Sequence, residues 1–358
     1  MTFLAQPLLA AFLTALLIVW LRRPALRFGL VDHPGGRKRH GDSVPLTGGV
    51  AITVAVFITL AASAHKMADY QVLFAAMLVL GAIGVLDDIG EVSPRTKLGA
   101  QVVAAVLMTS WGNHFLTGLG DILARGPIDL ANWAIPLTVF ATVAVINGIN
   151  MFDGLDGLAG GLVAGILAFF AYFAWLQPDV NALKLLLVVL GGVAGFLLFN
   201  LPHRWRGRRR VFMGDAGSLV LGFVIVWFTI ALTQPVGSPG RVPPVVMLWV
   251  VGIVLFDVFT VTVRRVLRRR DPAAPDRAHL HHLLLRRGFS PPQTTAIIVG
   301  ANVLLGLTGT IAWQAGVPEP WLFGAFMLVG LAYLAAFMYP ARFLRVRTAR
   351  GRRNGRPA

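Results

Sequence analysis

The chain has 358 residues, 56% of them apolar and only 13% charged, with a mean hydropathy of +0.71 and no cysteine. That apolar excess is foreign to soluble proteins, and repeated apolar runs of about 17–21 residues match a hydrocarbon core roughly 30 Å thick. Lack of cysteine excludes disulfides, thiolate metal sites and a thiol nucleophile, and the net charge of +16 is distributed in a way that argues against nucleic acid.

In chain order, transmembrane helices are predicted at 3–22, 45–64, 70–87, 97–112, 132–149, 157–176, 182–201, 217–233, 243–263, 294–313 and 320–339. The expected fold is all-α, a polytopic membrane protein of about eleven spans. The first run has no basic n-region and no small-residue cleavage pattern, so it reads as a span and not as a removed signal. With the N-terminus outside, every second connection is cytoplasmic. Those connections and the C-terminal tail then hold all of the 32 Lys and Arg residues except Lys66, Arg125, Lys184 and Arg241. Such asymmetry orients a membrane protein, and it places the C-terminus in the cytoplasm. Residues 1–341 read as a single membrane domain. Residues 342–358 read as a disordered basic tail anchored on anionic lipid headgroups. The two halves do not mirror each other, which weighs against a repeat-built transporter.

Five short polar segments lie between the spans on the cytoplasmic side: 32–40, 87–88, 147–157, 212–218 and 276–282. Carboxylates at a membrane edge are costly and so are functional candidates. Asp87 and Asp88 end the third span, where the helix dipole disfavours anions, so a cation or ionised ligand is expected beside them. By the same logic, removing either charge should leave the chain at least as stable. Lys97 follows on the same side. Asn147, Asn150, Asp153 and Asp156 recur at every third position as the fifth span ends, which places successive side chains near one another. Amides with carboxylates suit Mg²⁺ and a polar ligand; the blander reading is a tight loop punctuated by Asn and Asp. Asp215, just before the eighth span, is either a helix cap or a third wall of a metal site.

The last cluster is Arg277, His279, His281 and His282. His279 and His282 share a face of a short helix expected over 277–287 and ending at Gly288, which raises zinc. No H-E-x-x-H glutamate accompanies them, and the companion Asp and Asn oxygens favour Mg²⁺ or Mn²⁺. Imidazole and guanidinium donors suit a phosphate clamp. No P-loop and no nucleophile elbow exists. Asp257, inside the ninth span, needs a partner that the sequence does not name.

These residues resemble a known family. Asp87-Asp88, Asn147-x-x-Asn150-x-x-Asp153-Gly-x-Asp156, Phe212-Met213-Gly214-Asp215-x-Gly217-Ser218 and Asp276-Arg277-x-His279-Leu280-His281-His282 resemble the polyprenyl-phosphate N-acetylhexosamine-1-phosphate transferases. The opening Asp32-x-Pro34-x-x-Arg37-Lys38-x-His40 is similar to the GlcNAc branch. The resemblance runs from about Asp32 to Ser290. It implies transfer of a sugar 1-phosphate from a UDP-sugar to a polyprenyl phosphate, with release of UMP, at the cytoplasmic face of the bacterial inner membrane. It further implies that Asn150 and Asp215 hold Mg²⁺, with Mn²⁺ as the alternative. Asp87 would be a base or orient the acceptor, with Asp88 its essential neighbour. Lys97 would contact phosphate, and Lys38, His40 and Asn147 would bind substrate. Asp153 and Asp156 would line the nucleotide side. Arg277, His279, His281 and His282 would cap the sugar diphosphate.

Expected partners are thus a UDP-sugar, a polyprenyl phosphate and anionic lipid, with a homodimer compatible and nucleic acid excluded. Rival readings are another UDP-N-acetylhexosamine or UDP-MurNAc-pentapeptide as donor and, from a different class, an ion-coupled transporter. One departure from the family is a basic insertion at 203–210. Its arginines either bind lipid phosphate or only follow the inside-positive rule, the second being the simpler reading.

Overall fold

A computed structural model describes residues 2–32, 43–63, 70–177, 180–203, 209–235, 241–268 and 279–339. The expected sites Lys38, His40 and Arg277 and the tail 342–358 lie outside the described residues. In order, the helices are α1 (Thr2–Phe28), α2 (Gly48–Ala61), α3 (Gln71–Ile89), α4 (Pro94–Val106), α5 (Ala134–Met151), α6 (Leu158–Leu176), α7 (Val180–Asn200), α8 (Asp215–Thr233), α9 (Pro244–Val250), α10 (Gly252–Leu267), α11 (Leu280–Arg287), α12 (Pro291–Gln314) and α13 (Glu319–Phe337). Among the described residues, strands are confined to two short antiparallel pairs. β1 (Val31–Asp32) meets β2 (Val44–Pro45), and β3 (Gly118–Gly120) meets β4 (Ile128–Asp129).

The protein is an all-α polytopic membrane protein. Among the described residues, eight helices are long and apolar enough to cross a bilayer, or nine if α9 and α10 count as one bent span. The expectation of eleven regular spans is modified at three places. The second stretch forms only the fourteen-residue α2. The fourth is interrupted, because α4 gives way to a π-helical turn at Leu107–Trp111. The ninth is broken by 79° between α9 and α10. A break inside an apolar span frees backbone groups that lipid cannot satisfy. Asn302 of α12 answers both kinds: its Nδ2 donates to the Val250 carbonyl at 2.9 Å, and its Oδ1 accepts from the Ile253 amide at 3.3 Å.

The centre of the bundle is α8. It is buried over 89% of its apolar window, against 17% for α1 and 11% for α13. Its neighbours α2, α3, α5 and α6 reach it closely because small residues line the contacts. Gly84 of α3 lies against the backbone of Asp215 and Ala216, Gly49 of α2 against Gly217, and Gly222 of α8 against Ile146. At the flank, Gly191 and Gly195 of α7 rest on the carbonyls of Pro7 and Ala11 in α1. The segment leading into α8 is tied to the start of α2: Gly48 N donates to Phe212 O (3.0 Å), Gly49 N to Met213 O (2.8 Å), and Phe212 N to Pro45 O (3.0 Å). The N-terminus of α8 is therefore fixed by backbone on one side and by α3 on the other.

A β-carbon added at Gly84 would fall on the backbone of Ala216, whereas one at exposed Gly99 of α4 would meet nothing. Gly84→Ala should lower unfolding stability by about 1–3 kcal/mol through overpacking, while Gly99→Ala should be neutral or stabilising by up to about 1 kcal/mol. Thermal unfolding in detergent checks the pair, and equal midpoints would contradict the close α3–α8 packing.

Candidate active site

Parts of three polar segments, Asp87 and Asp88, Asn150 and Asp153, and Gly214 to Ser218, meet around the first turn of α8. A helix entering the protein core presents unpaired amides and a partial positive charge at its N-terminus. Asp88 supplies the answer from α3: its Oδ1 accepts from Asp215 N at 2.9 Å and its Oδ2 from Ala216 N at 3.2 Å. Gly214, at φ +73, has no room for a side chain because Asp88 occupies that space. The expectation that Asp88 sits at an unfavourable dipole is thus revised. It does end α3, but its carboxylate faces the positive end of α8.

Asp215, the first residue of α8, is the junction. Lys97 of α4 donates to its Oδ2 and also to Asp87 Oδ2, the latter at 2.6 Å. The amide of Val92 donates to Asp87 Oδ1 at 2.9 Å. Asn150, in the last turn of α5, donates through Nδ2 to Asp215 Oδ1 and to Ser218 Oγ, each at 2.9 Å. Both donations use the amide nitrogen, so the amide oxygen remains available as a ligand. Asp153 lies just beyond the end of α5. Burial, with the charges of Asp215 and Asp88 nearby, pushes its carboxyl well above the ordinary aspartate value.

The every-third-residue series fans out and does not form one row. Asn147, one turn before Asn150, is turned to α4: its Nδ2 donates to Gln101 Oε1 at 2.6 Å and to the Val143 carbonyl at 2.8 Å. Asp156 receives Arg210, with Nη2 at 2.7 Å and Nε at 3.2 Å, and that guanidinium also lies 4.6 Å over the Phe212 ring. The same loop is held by Asn200, whose Oδ1 accepts from Gly157 N at 2.6 Å while its Nδ2 donates to Val211 O at 2.9 Å. Thr295 of α12 donates to the Asp156 carbonyl at 3.0 Å.

The histidines border this loop from α11, which starts at Leu280 and ends where Gly288 turns left-handed at φ +94. Buried His281 packs against Phe152 with ring centroids 6.1 Å apart, and it faces Gly154 and His282. Burial, with His282 and His279 beside it, lowers its pKa to about 3, so it is a neutral imidazole. His279 is turned elsewhere, its Nδ1 at 2.8 Å from Asp257 Oδ2. Asp257 thereby gains its partners: its Oδ1 also accepts from Leu280 N at 2.9 Å and from Tyr333 OH at 3.0 Å. His279 precedes the first turn of α11 and its side chain faces Asp257 of α10, so the shared helix face that suggested zinc is not formed. Gln101 and Tyr333 had no signal in the sequence beyond being lone polar groups in apolar runs.

Among the described residues, no three His, Asp or Glu side chains converge closely enough to enclose a metal. Mg²⁺ usually takes only one or two protein carboxylates and completes its shell with water and substrate phosphate. The donor set fits it: the oxygens of Asp87, Asp88, Asp153 and Asp215 surround α8's first turn, and Lys97 bridges Asp87 and Asp215. All available donors are hard oxygens.

The family model for glycosyl transferase family 4 matches residues 70–233, which span Asp87 through Asp215. An undecaprenyl-phosphate alpha-N-acetylglucosaminyl 1-phosphate transferase of Escherichia coli O157:H7 is 33% identical over 352 residues, covering 97% of this chain and 95% of that protein. Proteins of the same name from Haemophilus influenzae (33% over 336 residues, 93% and 94% covered) and Yersinia pestis (30% over 313 residues, 87% and 85% covered) are also similar. With that identity carried over nearly its whole length, the chain belongs to glycosyl transferase family 4.

Proposed function

We propose that the protein transfers N-acetylglucosamine 1-phosphate from UDP-GlcNAc to undecaprenyl phosphate, at the cytoplasmic face of the bacterial inner membrane. In this reading the chain is one membrane domain with eleven crossings, counting α2, α4 and the bent α9–α10 pair, and its N-terminus is outside. The observation that carries the reading is the convergence of Asp215, Asn150, Lys97 and Asp87 at the first turn of α8. Its relatives bear the name of this transferase over nearly their whole length.

In the reaction an oxygen of the acceptor phosphate forms a bond to the β-phosphorus of UDP-GlcNAc. The bridging P–O bond to the α-phosphate breaks, and UMP leaves with the electron pair. Such transfers need charge neutralisation and in-line positioning more than covalent help. Asp215 and the amide oxygen of Asn150 would hold Mg²⁺, or Mn²⁺ in its place. Bound there, the cation supplies neutralisation of phosphate charge. Lys97 carries the ammonium that steadies phosphate oxygens, and Asp87 holds it in place. A proton-abstracting role for Asp87 is unnecessary, since a phosphate monoester is already largely ionised near neutral pH. Asn150 aims the Asp215 carboxylate, and Asp88 holds the α8 amides on which Asp215 stands. Asp153, on the loop facing His281, lines the nucleotide side. Neutral His281 offers a donor without adding charge, with His282 beside it.

Purified full-length protein in detergent should release UMP from UDP-GlcNAc only when undecaprenyl phosphate and Mg²⁺ are both present. Asp215→Asn and Asn150→Ala should lower turnover by about 10²–10³-fold with the unfolding midpoint retained. UMP release without the lipid acceptor, or full turnover in both variants, would overturn the assignment.

The two adjacent acids should separate in stability. Asp88→Ala leaves the Asp215 and Ala216 amides without their acceptor, so it should cost about 0.5–2 kcal/mol of substrate-free stability as well as activity. Asp87→Asn retains an acceptor for Lys97 and should lose activity with little change in midpoint. Thermal unfolding beside turnover on the same samples reads this difference. An Asp88→Ala protein as stable as the parent would contradict the capping role.

A further inference from the structure

A cleft of about 100 Å³ opens at the same end of the bundle, between the second half of α1, the end of α7 and the segment 209–211 that leads toward α8. Three arginines line it, Arg22, Arg209 and Arg210, and no acidic residue does so among the described residues. Arg210 is matched by Asp156. Arg22 and Arg209 have neither an ion pair nor a hydrogen bond among the described residues, so two positive charges face one small cleft unanswered. Like charges gathered in this way repel unless an anion joins them. Guanidinium forks suit phosphate in particular.

The rest of the lining has a different chemistry. Ile18, Val19 and Phe199 form an apolar side. It continues onto the outward face of α1, where Leu16, Val19 and Trp20 are exposed. Thr47, also in the lining, keeps a buried hydroxyl with no hydrogen-bond partner among the described residues. A cleft with cations at one side and hydrocarbon at the other fits an amphiphile with a phosphate head. None of the residues around Asp215 lines it. We propose that this cleft binds the phosphate of an anionic membrane phospholipid, with Arg22 and Arg209 on the headgroup and an acyl chain against Ile18, Val19 and Phe199.

Arg209 and Arg210 belong to the basic insertion at 203–210, whose simpler reading was the inside-positive rule alone. That rule accounts for the sign of the charge. It does not account for two insertion arginines meeting Arg22, nearly two hundred residues away in sequence, across one cleft. Because Arg210 also grips Asp156, the bound lipid sits one side chain from the loop that carries Asp153.

The full-length protein in phosphatidylcholine nanodiscs, titrated with phosphatidylglycerol and read by native mass spectrometry for retained lipid, tests the proposal. At least one phosphatidylglycerol should remain per chain. The double variant R22Q/R209Q should weaken retention about tenfold, with its unfolding midpoint in pure phosphatidylcholine unchanged. R23Q/R27Q removes the same charge from exposed positions of α1 outside the cleft and should leave retention within about twofold. Turnover of R22Q/R209Q at saturating acceptor should stay within about twofold of the parent. Equal weakening in both double variants would reduce the effect to diffuse surface charge and overturn the site. Displacement by millimolar inorganic phosphate would make it a site for the free ion. One-for-one displacement by undecaprenyl phosphate, with turnover falling in step, would make it part of the acceptor site. Either result overturns the phospholipid assignment. Should the double variant unfold, R22Q against R23Q carries the same comparison.

Discussion

The buried N-terminus of α8 is the constraint on which the rest of the site depends. A helix enclosed on nearly all faces cannot let water satisfy its first amides, so the protein must bring an acceptor to them. Asp88 does this from α3, and the approach is possible only because Gly84 and Gly214 leave no side chain in the way. Once Asp88 is fixed, Asp215 is fixed too, since its own amide is one of the two that Asp88 holds. The amide that Asp88 holds and the carboxylate that Lys97 and Asn150 hold belong to one residue, Asp215.

From that junction the charges are arranged in order of their need. Lys97 stands between Asp87 and Asp215 and neutralises part of the acidic cluster. Asn150 orients Asp215 without adding charge. Asp153 is left with its carboxyl pushed up by burial and by its acidic neighbours. The histidine side is different, because His281 is held neutral and Asp257 fixes His279 from the interior. The loop after α5 carries Asp153 beside the acidic cluster at α8 and Gly154 beside neutral His281. In the proposed reading, those two sides suit a nucleotide sugar with its charge concentrated at one end.

The sequence made some of this legible and hid the rest for identifiable reasons. Asp87, Asp215 and Asn150 stand out because acids and amides at the ends of apolar runs are expensive, and four motifs carry them in order. The general course of the helices follows from apolar run length. The break between α9 and α10 did not show, because 243–256 carries no polar side chain at the break and the residue that makes the break tolerable, Asn302, lies in another helix. Asp88 was misread on its dipole because local sequence shows only the helix to which a residue belongs. The helix that matters to Asp88 begins more than a hundred residues later. Gln101 and Tyr333 are lone polar side chains in apolar runs, and only tertiary contact reveals that they hold Asn147 and Asp257.

The central claim is that the first turn of α8 is where the divalent cation meets the phosphates. Anomalous diffraction from crystals of the full-length protein grown with Mn²⁺ and UDP-GlcNAc tests it most directly. The account predicts one strong manganese peak about 2 Å from an Asp215 carboxylate oxygen, absent in Asp215→Asn crystals grown the same way. A peak at His281 and His282, or one that persists unchanged in the Asp215→Asn protein, would contradict it.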